Sequence, residues 1–190
     1  MSIPSRPRIF VNYRRGDASH AAARLYDQLI KHFEVFLDVD RIRVGTDFVA
    51  VMTHAVTTSN VLLAIIGSEW ANIADSKGRR RLDDPNDYVR LEIQTALDHH
   101  VPVIPVLIDD AAFPDSQDIP DRLRPMMRFN GRRLRHESFR SDSDQLISDI
   151  RYLSESDTTA VGATLTQGDP RPGDPHYFEN MAREAFGLQA

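Results

Sequence analysis

Short apolar runs alternate along this chain with segments whose apolar residues recur every three or four positions. Ile9-Phe10-Val11 is β-prone and ends at the polar Asn12-Tyr13-Arg14-Arg15-Gly16-Asp17, as a buried strand stopping at a loop would. Ala18, Ala22, Leu25, Leu29 and Phe33 follow at helical spacing, with Asp17 placed to cap that helix. Val35-Phe36-Leu37 is a second strand, the charged stretch from Asp38 to Asp47 a loop, and Phe48, Met52 and Val56 mark one face of a helix running to about Thr58. Asn60 to Gly67 is apolar on both faces, the mark of a central parallel strand.

Asp84-Pro85-Asn86-Asp87 places a capping Asp before a Pro and an acid three residues after the cap, predicting a helix from Pro85 to about His99. Val89, Ile93, Ala96 and Leu97 would face inward, with Tyr88, Glu92 and Thr95 on a neighbouring stripe. Val101 to Ile108 is another strand, kept from the middle of the sheet by Pro102 and Pro105, each of which removes a ladder donor. A short helix over Ile119 to Met127, an edge strand at Arg128-Phe129-Asn130 and a closing helix from Ser141 to Leu153 complete the series.

Strict alternation of strand and helix implies right-handed crossovers and a parallel sheet covered on both faces. Five strands fit the flavodoxin-like order 2-1-3-4-5, an α/β fold whose ligand crevice lies beyond the carboxyl ends of strands one and three. Those ends are Tyr13-Arg14-Arg15 and Gly67-Ser68, with Asp38 beside them.

Composition narrows the function. At 190 residues there is room for one domain and an extension. A net charge of −5 argues against nucleic acid as the main partner, and the absence of cysteine excludes thiolate chemistry and sulfur-ligated zinc. No apolar run is long enough to span a bilayer and the N-terminus lacks a signal-like core, so the expectation is a cytoplasmic protein that engages neither membrane nor nucleic acid. Neither a phosphate-binding G-x-x-x-x-G-K-[ST] nor a G-x-G-x-x-G occurs, and there is no G-x-S-x-G nucleophile elbow. Asp98-His99-His100 is assigned no metal, because adjacent histidines on a helix point different ways.

Several boxes do resemble one family. Ile9-Phe10-Val11-Asn12-Tyr13-Arg14-Arg15 is similar to the first box of TIR (Toll/interleukin-1 receptor) domains, and Phe36-Leu37-Asp38 through Gly45 resembles their second strand and following BB loop. Asp87-Tyr88-Val89-Arg90-Leu91-Glu92-Ile93 resembles the box around the catalytic glutamate, and Phe129-Asn130-Gly131 the late box. The resemblance runs over roughly residues 8 to 154, placing a TIR domain at residues 1–155 and leaving 156–190 as a flexible linker and a short amphipathic helix around Phe178, Met181, Ala185 and Phe186.

It implies membership of the bacterial NAD-cleaving branch. The expected activity is an NAD glycohydrolase that breaks the nicotinamide–ribose bond, releasing nicotinamide and ADP-ribose or a cyclic isomer, in a bacterial stress or antiphage response. NAD is then the substrate and no cofactor is needed. Glu92 is the implied catalytic residue, opposing positive charge that grows on the ribose. Tyr88 stands one turn earlier, where many members have Trp, and offers a ring for stacking. Arg14 or Arg15 is placed to hold the pyrophosphate, and Tyr13, Asp38 and Gly45 complete the candidate substrate-binding set. Bland readings stand beside these: surface charge for the arginines, a turn cap for Asp38, backbone geometry for Gly45, core packing for Tyr88 and Trp70. The rival function is a catalytically silent adaptor that self-associates with other TIR domains through the loop from Asp38 to Asp47.

Overall fold

The computed structural model describes residues 6–37 and 48–160. Asp38, Gly45, the loop they belong to and the amphipathic segment around Phe178 lie outside these. A five-stranded parallel sheet runs through the molecule in the order β2-β1-β3-β4-β5, formed by β1 (Arg8–Tyr13), β2 (Glu34–Phe36), β3 (Val61–Ile66), β4 (Val103–Ile108) and β5 (Arg132–Leu134). This is the flavodoxin-like arrangement expected from the alternating pattern.

Period-two alternation sends successive residues of each strand to opposite sides, building two separate cores. Ile9, Val11, Val61, Leu63 and Ile65 pack beneath α1 (Arg15–Leu29) and α4 (Phe139–Ala160), meeting Leu25, Leu29, Leu146 and Ile150. Phe10, Leu62, Ala64 and Ile66 face α2 (Phe48–Thr57) and α3 (Tyr88–Asp98), meeting Met52, Val56, Val89, Ile93 and Ala96. β3 is buried at every position, as a strand sandwiched between two helical layers must be.

Pro102 falls just before β4, and Pro105 within it is accommodated by register. Pro102 accepts from the Leu62 amide at 2.8 Å, so even-numbered residues of this stretch turn their polar groups to β3 and Pro105 turns its missing donor to the β5 side. There β5 pairs only from Val106 onward. Gly131 precedes β5 because a Cβ at that position would come within 2.7 Å of the Pro105 carbonyl oxygen.

Four local expectations need correction. β5 is Arg132–Leu134 rather than Arg128–Asn130; Phe129 instead ends the short helix expected over Ile119 to Met127, which is a 3-10 helix over Asp121–Arg128. Arg132 is held in β5 by Asp149 of α4, whose carboxylate raises the guanidinium's pKa mainly through their hydrogen bond. α3 starts at Tyr88, not Pro85: Asp84 heads a turn, accepting from the Asn86 and Asp87 amides, and Asp87 is the N-cap, accepting from the Arg90 amide at 3.1 Å. Asp17 does not cap α1; its carboxylate crosses to the end of β3 and accepts from the Gly67 and Glu69 amides, both at 2.9 Å. α1 accordingly breaks its helical geometry at Ala18 (φ −122°, ψ 20°). Finally, α4 continues to Ala160, past the Leu153 at which the closing helix was expected to stop.

Candidate active site

The carboxyl end of β1 carries an unusual run for a core strand. On the side facing α1 and α4 it stays apolar, with Tyr13 packed against that core. On the side facing α3 it changes from Phe10 to Asn12 and Arg14, both essentially without solvent exposure. Buried polar groups must find partners, and both side chains find them on the N-terminal half of α3.

Arg14 sends two parallel hydrogen bonds to Asp87, Nη1 to Oδ2 and Nη2 to Oδ1, each 2.9 Å, and a third from Nε to the Trp70 carbonyl at 3.2 Å. Fork-to-fork pairing of this kind fixes angle as well as distance. Asp87 simultaneously caps α3 and lies 3.4 Å from the Arg81 guanidinium, so one carboxylate ties the strand end, the preceding 3-10 turn (Arg81–Asp83) and the helix start together. Trp70 is buried in the same core.

Asn12 reaches one turn further along the helix. Its Nδ2 donates to Glu92 Oε2 at 2.7 Å and to the Val89 carbonyl at 3.1 Å. Glu92 is therefore not the partly solvated helical residue its position in a polar stripe suggests; only 6% of it is exposed. A carboxylate held in low dielectric against a short, fixed donor exerts a stronger field on a neighbouring cation than one in water. Tyr88, one turn earlier, is half exposed, which removes core packing as an account of its ring.

The structure thus brings Arg14 and Glu92 to one face of the sheet, on either side of the α3 N-terminus, with Tyr88 at its edge. It does not bring Tyr13 there, since that ring packs on the α1–α4 side. Arg14 is occupied as a clamp, and Arg15, the first residue of α1, is exposed. Asp38 and Gly45 fall outside the described residues. Sequence reasoning passed over Asn12 and Asp87 as site residues. The one available signal was an amide and a guanidinium two residues apart on a strand, hence on one face.

The Arg79-Arg80-Arg81 run lies in the loop before α3, where its guanidiniums pair with aspartates. Arg79 pairs with Asp75 and Arg80 with Asp83, and each aspartate's pKa is lowered, chiefly by a backbone hydrogen bond from Arg79 to Asp75 and a side-chain one from Arg80 to Asp83. Arg80 also donates to the Asp118 carbonyl at 2.6 Å. Arg81, the third residue of the run, reaches Asp87 at 3.4 Å.

Among the described residues no helix is long and apolar enough to cross a membrane. The TIR domain family model matches residues 9–147. The chain is 28% identical over 173 residues to the NAD(+) hydrolase SARM1 of Danio rerio, a match covering 90% of this chain and 23% of that protein. It is 26% identical over 161 residues to the NAD(+) hydrolase sarm1 of Drosophila melanogaster, covering 84% of this chain and 11% of the relative. This chain thus spans less than a quarter of the length of these curated relatives, which are animal rather than bacterial proteins. The TIR domains of the activated Roq1 resistosome superpose with a TM-score of 0.55 at 15% identity, over 77% of this chain and 98% of that one, a likeness of fold. Sheet order, box positions and family match coincide, and the chain belongs to the TIR domain family.

Proposed function

We propose that this TIR domain is an NAD glycohydrolase in which Glu92 is the catalytic carboxylate. The observation that carries the reading is the placement of Glu92: a buried carboxylate on the second turn of α3, locked by Asn12 to the carboxyl end of β1, where ligands bind in doubly wound folds. Relatives named as NAD(+) hydrolases, aligned over most of this chain, support the same substrate.

The chemistry suits one carboxylate without a general acid. The bond between ribose C1′ and the nicotinamide nitrogen breaks with its electron pair leaving on nicotinamide, which departs neutral. Positive charge develops on the ribose, and the Glu92 carboxylate opposes it. Water then adds to C1′ and loses a proton to give ADP-ribose, or the adenine of the same molecule adds instead to give a cyclic isomer. Tyr88 supplies an exposed ring for stacking and Arg15 a cation for the pyrophosphate. NAD is consumed as substrate, with no cofactor. Turnover depends on assembly with other TIR domains, and its setting is a cytoplasmic stress or antiphage response.

One observation favours the rival, a silent adaptor: at 6% exposure Glu92 has little surface to offer a ribose. Incubation of the purified chain with NAD over a wide range of protein concentration separates the two. The glycohydrolase releases nicotinamide and ribosyl product in equal amounts, with specific activity rising with concentration; unchanged NAD at every concentration establishes the adaptor.

A further inference from the structure

Asn12 is a costly residue for its position. It is fully buried, between Phe10 and Arg14 on the α3-facing side of β1, and its Oδ1 meets no hydrogen-bond donor among the described residues. The orientation of its amide is nevertheless fixed by chemistry. Both groups it contacts, Glu92 Oε2 and the Val89 carbonyl, are acceptors, so the nitrogen must face α3 and the oxygen must take the side without a partner. Nor does the Val89 contact rescue a stranded group, because that carbonyl lies inside α3 where the helical ladder already supplies a donor. Packing alone would be better served by an aliphatic side chain. What an aliphatic side chain cannot do is hold Glu92.

We propose that Asn12 is the positioning residue for Glu92, an inference that rests on Glu92 being the catalytic carboxylate. The two Nδ2 protons act together. One, on Val89, stops the amide from rotating; the other is thereby held at a fixed point on a rigid strand, 2.7 Å from Glu92 Oε2. Anchoring one oxygen fixes the plane and rotamer of a side chain with three rotatable bonds, so that its charge faces the ribose without reorganising during the reaction. Arg14, next but one on β1, fixes the start of the same helix through Asp87, and the pair sets both the helix and the carboxylate relative to the sheet.

The test compares Asn12→Leu, Glu92→Gln, Asn12→Asp and the double variants, counting intact sites in each by titration with a carbocyclic NAD analogue that cannot be cleaved. Asn12→Leu is expected to keep its full complement of analogue-binding sites, at a melting temperature lowered by the loss of a hydrogen bond to a buried carboxylate, yet lose at least about tenfold in kcat per intact site with KM unchanged. A merely structural asparagine would instead lower the number of sites while leaving the rate per site intact, and that result overturns the proposal. In the Glu92→Gln background, adding Asn12→Leu should cost no further residual activity, because the two act as one unit. Asn12→Asp places two carboxylates in contact and should melt lower; combining it with Glu92→Gln re-forms that one hydrogen bond with reversed polarity, though not the bond to Val89, and should recover part of the melting temperature but not turnover. Should Asn12→Leu not fold, Asn12→Ser, too short to reach Glu92, carries the same expectations. The two readings fail separately: an active Glu92→Gln removes the catalytic assignment and Asn12's role with it, whereas an inactive Glu92→Gln beside an undiminished Asn12→Leu removes only the positioning role.

Discussion

The two faces of one sheet are built on different principles. Beneath α1 and α4 the core is aliphatic and aromatic from end to end, and the buried polar side chains belonging to that layer are small α4 hydroxyls such as Ser154, which returns its proton to the Ile150 carbonyl. Beneath α3 the same strands begin equally apolar, but the carboxyl end buries Asn12, Arg14, Asp87 and Glu92 within a few ångströms of one another. A buried ion pair seldom stabilises more than a well-packed apolar substitute, so stability alone does not account for the second design. It does define angles. The contrast teaches that the α1–α4 face supplies stability while the α3 face spends some of it on geometry.

That division can be broken at several points. The largest effect is expected on the polar face: Arg14→Ala removes the bidentate partner of Asp87, 2% exposed, leaving it the more distant Arg81 and the Arg90 amide, and should cost about 3–5 kcal/mol in denaturant unfolding. Replacing Arg14 and Asp87 together by Met and Leu should recover much of that stability while leaving NAD turnover lost, since the helix cap and the angle of α3 are gone. Recovery of turnover along with stability would contradict the division. Leu63→Ala on the opposite face should cost about 2–5 kcal/mol by the same measurement, with turnover per folded molecule unchanged. Gly67→Ala is next. A Cβ there would meet the Asp17 carboxylate that straps α1 to β3, and a loss of about 1–3 kcal/mol is expected, largely absent when Asp17 is first replaced by Ala.

The smallest effect is a pH dependence. The Arg135 amide and then the Ser138 hydroxyl hold the Asp142 carboxyl below the usual carboxylate range. A group whose pKa is lowered by folding contributes its stability above its unfolded pKa and loses it as pH falls through the folded one. Stability should therefore decline on acidification below about pH 4, and Asp142→Asn should flatten that limb of the unfolding curve.

How much of this was legible in the chain follows from the range of the interactions involved. Elements defined by local periodicity were readable: the inward residues of α1, the continuous apolar run of β3, the order of strands and helices. β5 was not, because an edge strand needs few buried residues and Arg132-Arg133-Leu134 offers only Leu134. The start of α3 was misread because two acids three residues apart each had cap chemistry, and the choice fell to Asp87 through Arg14, a partner 73 residues earlier. Glu92 was visible through the box around it. Its burial was not, since it depends on Asn12 across 80 residues of chain. Local pattern carries elements; the network that aims the site is assembled by topology.

The central claim is that the α3 face holds Glu92 as the carboxylate of NAD cleavage, and Glu92→Gln tests it most directly. The glutamine oxygen can still accept from Asn12, so the fold and the helix position should persist, with a melting temperature near that of the parent chain. The measurement is nicotinamide release from NAD at high protein concentration by the parent and Glu92→Gln proteins side by side. Release by the parent and a loss of at least about a hundredfold in the folded variant is the expected result; comparable release from both would contradict the account.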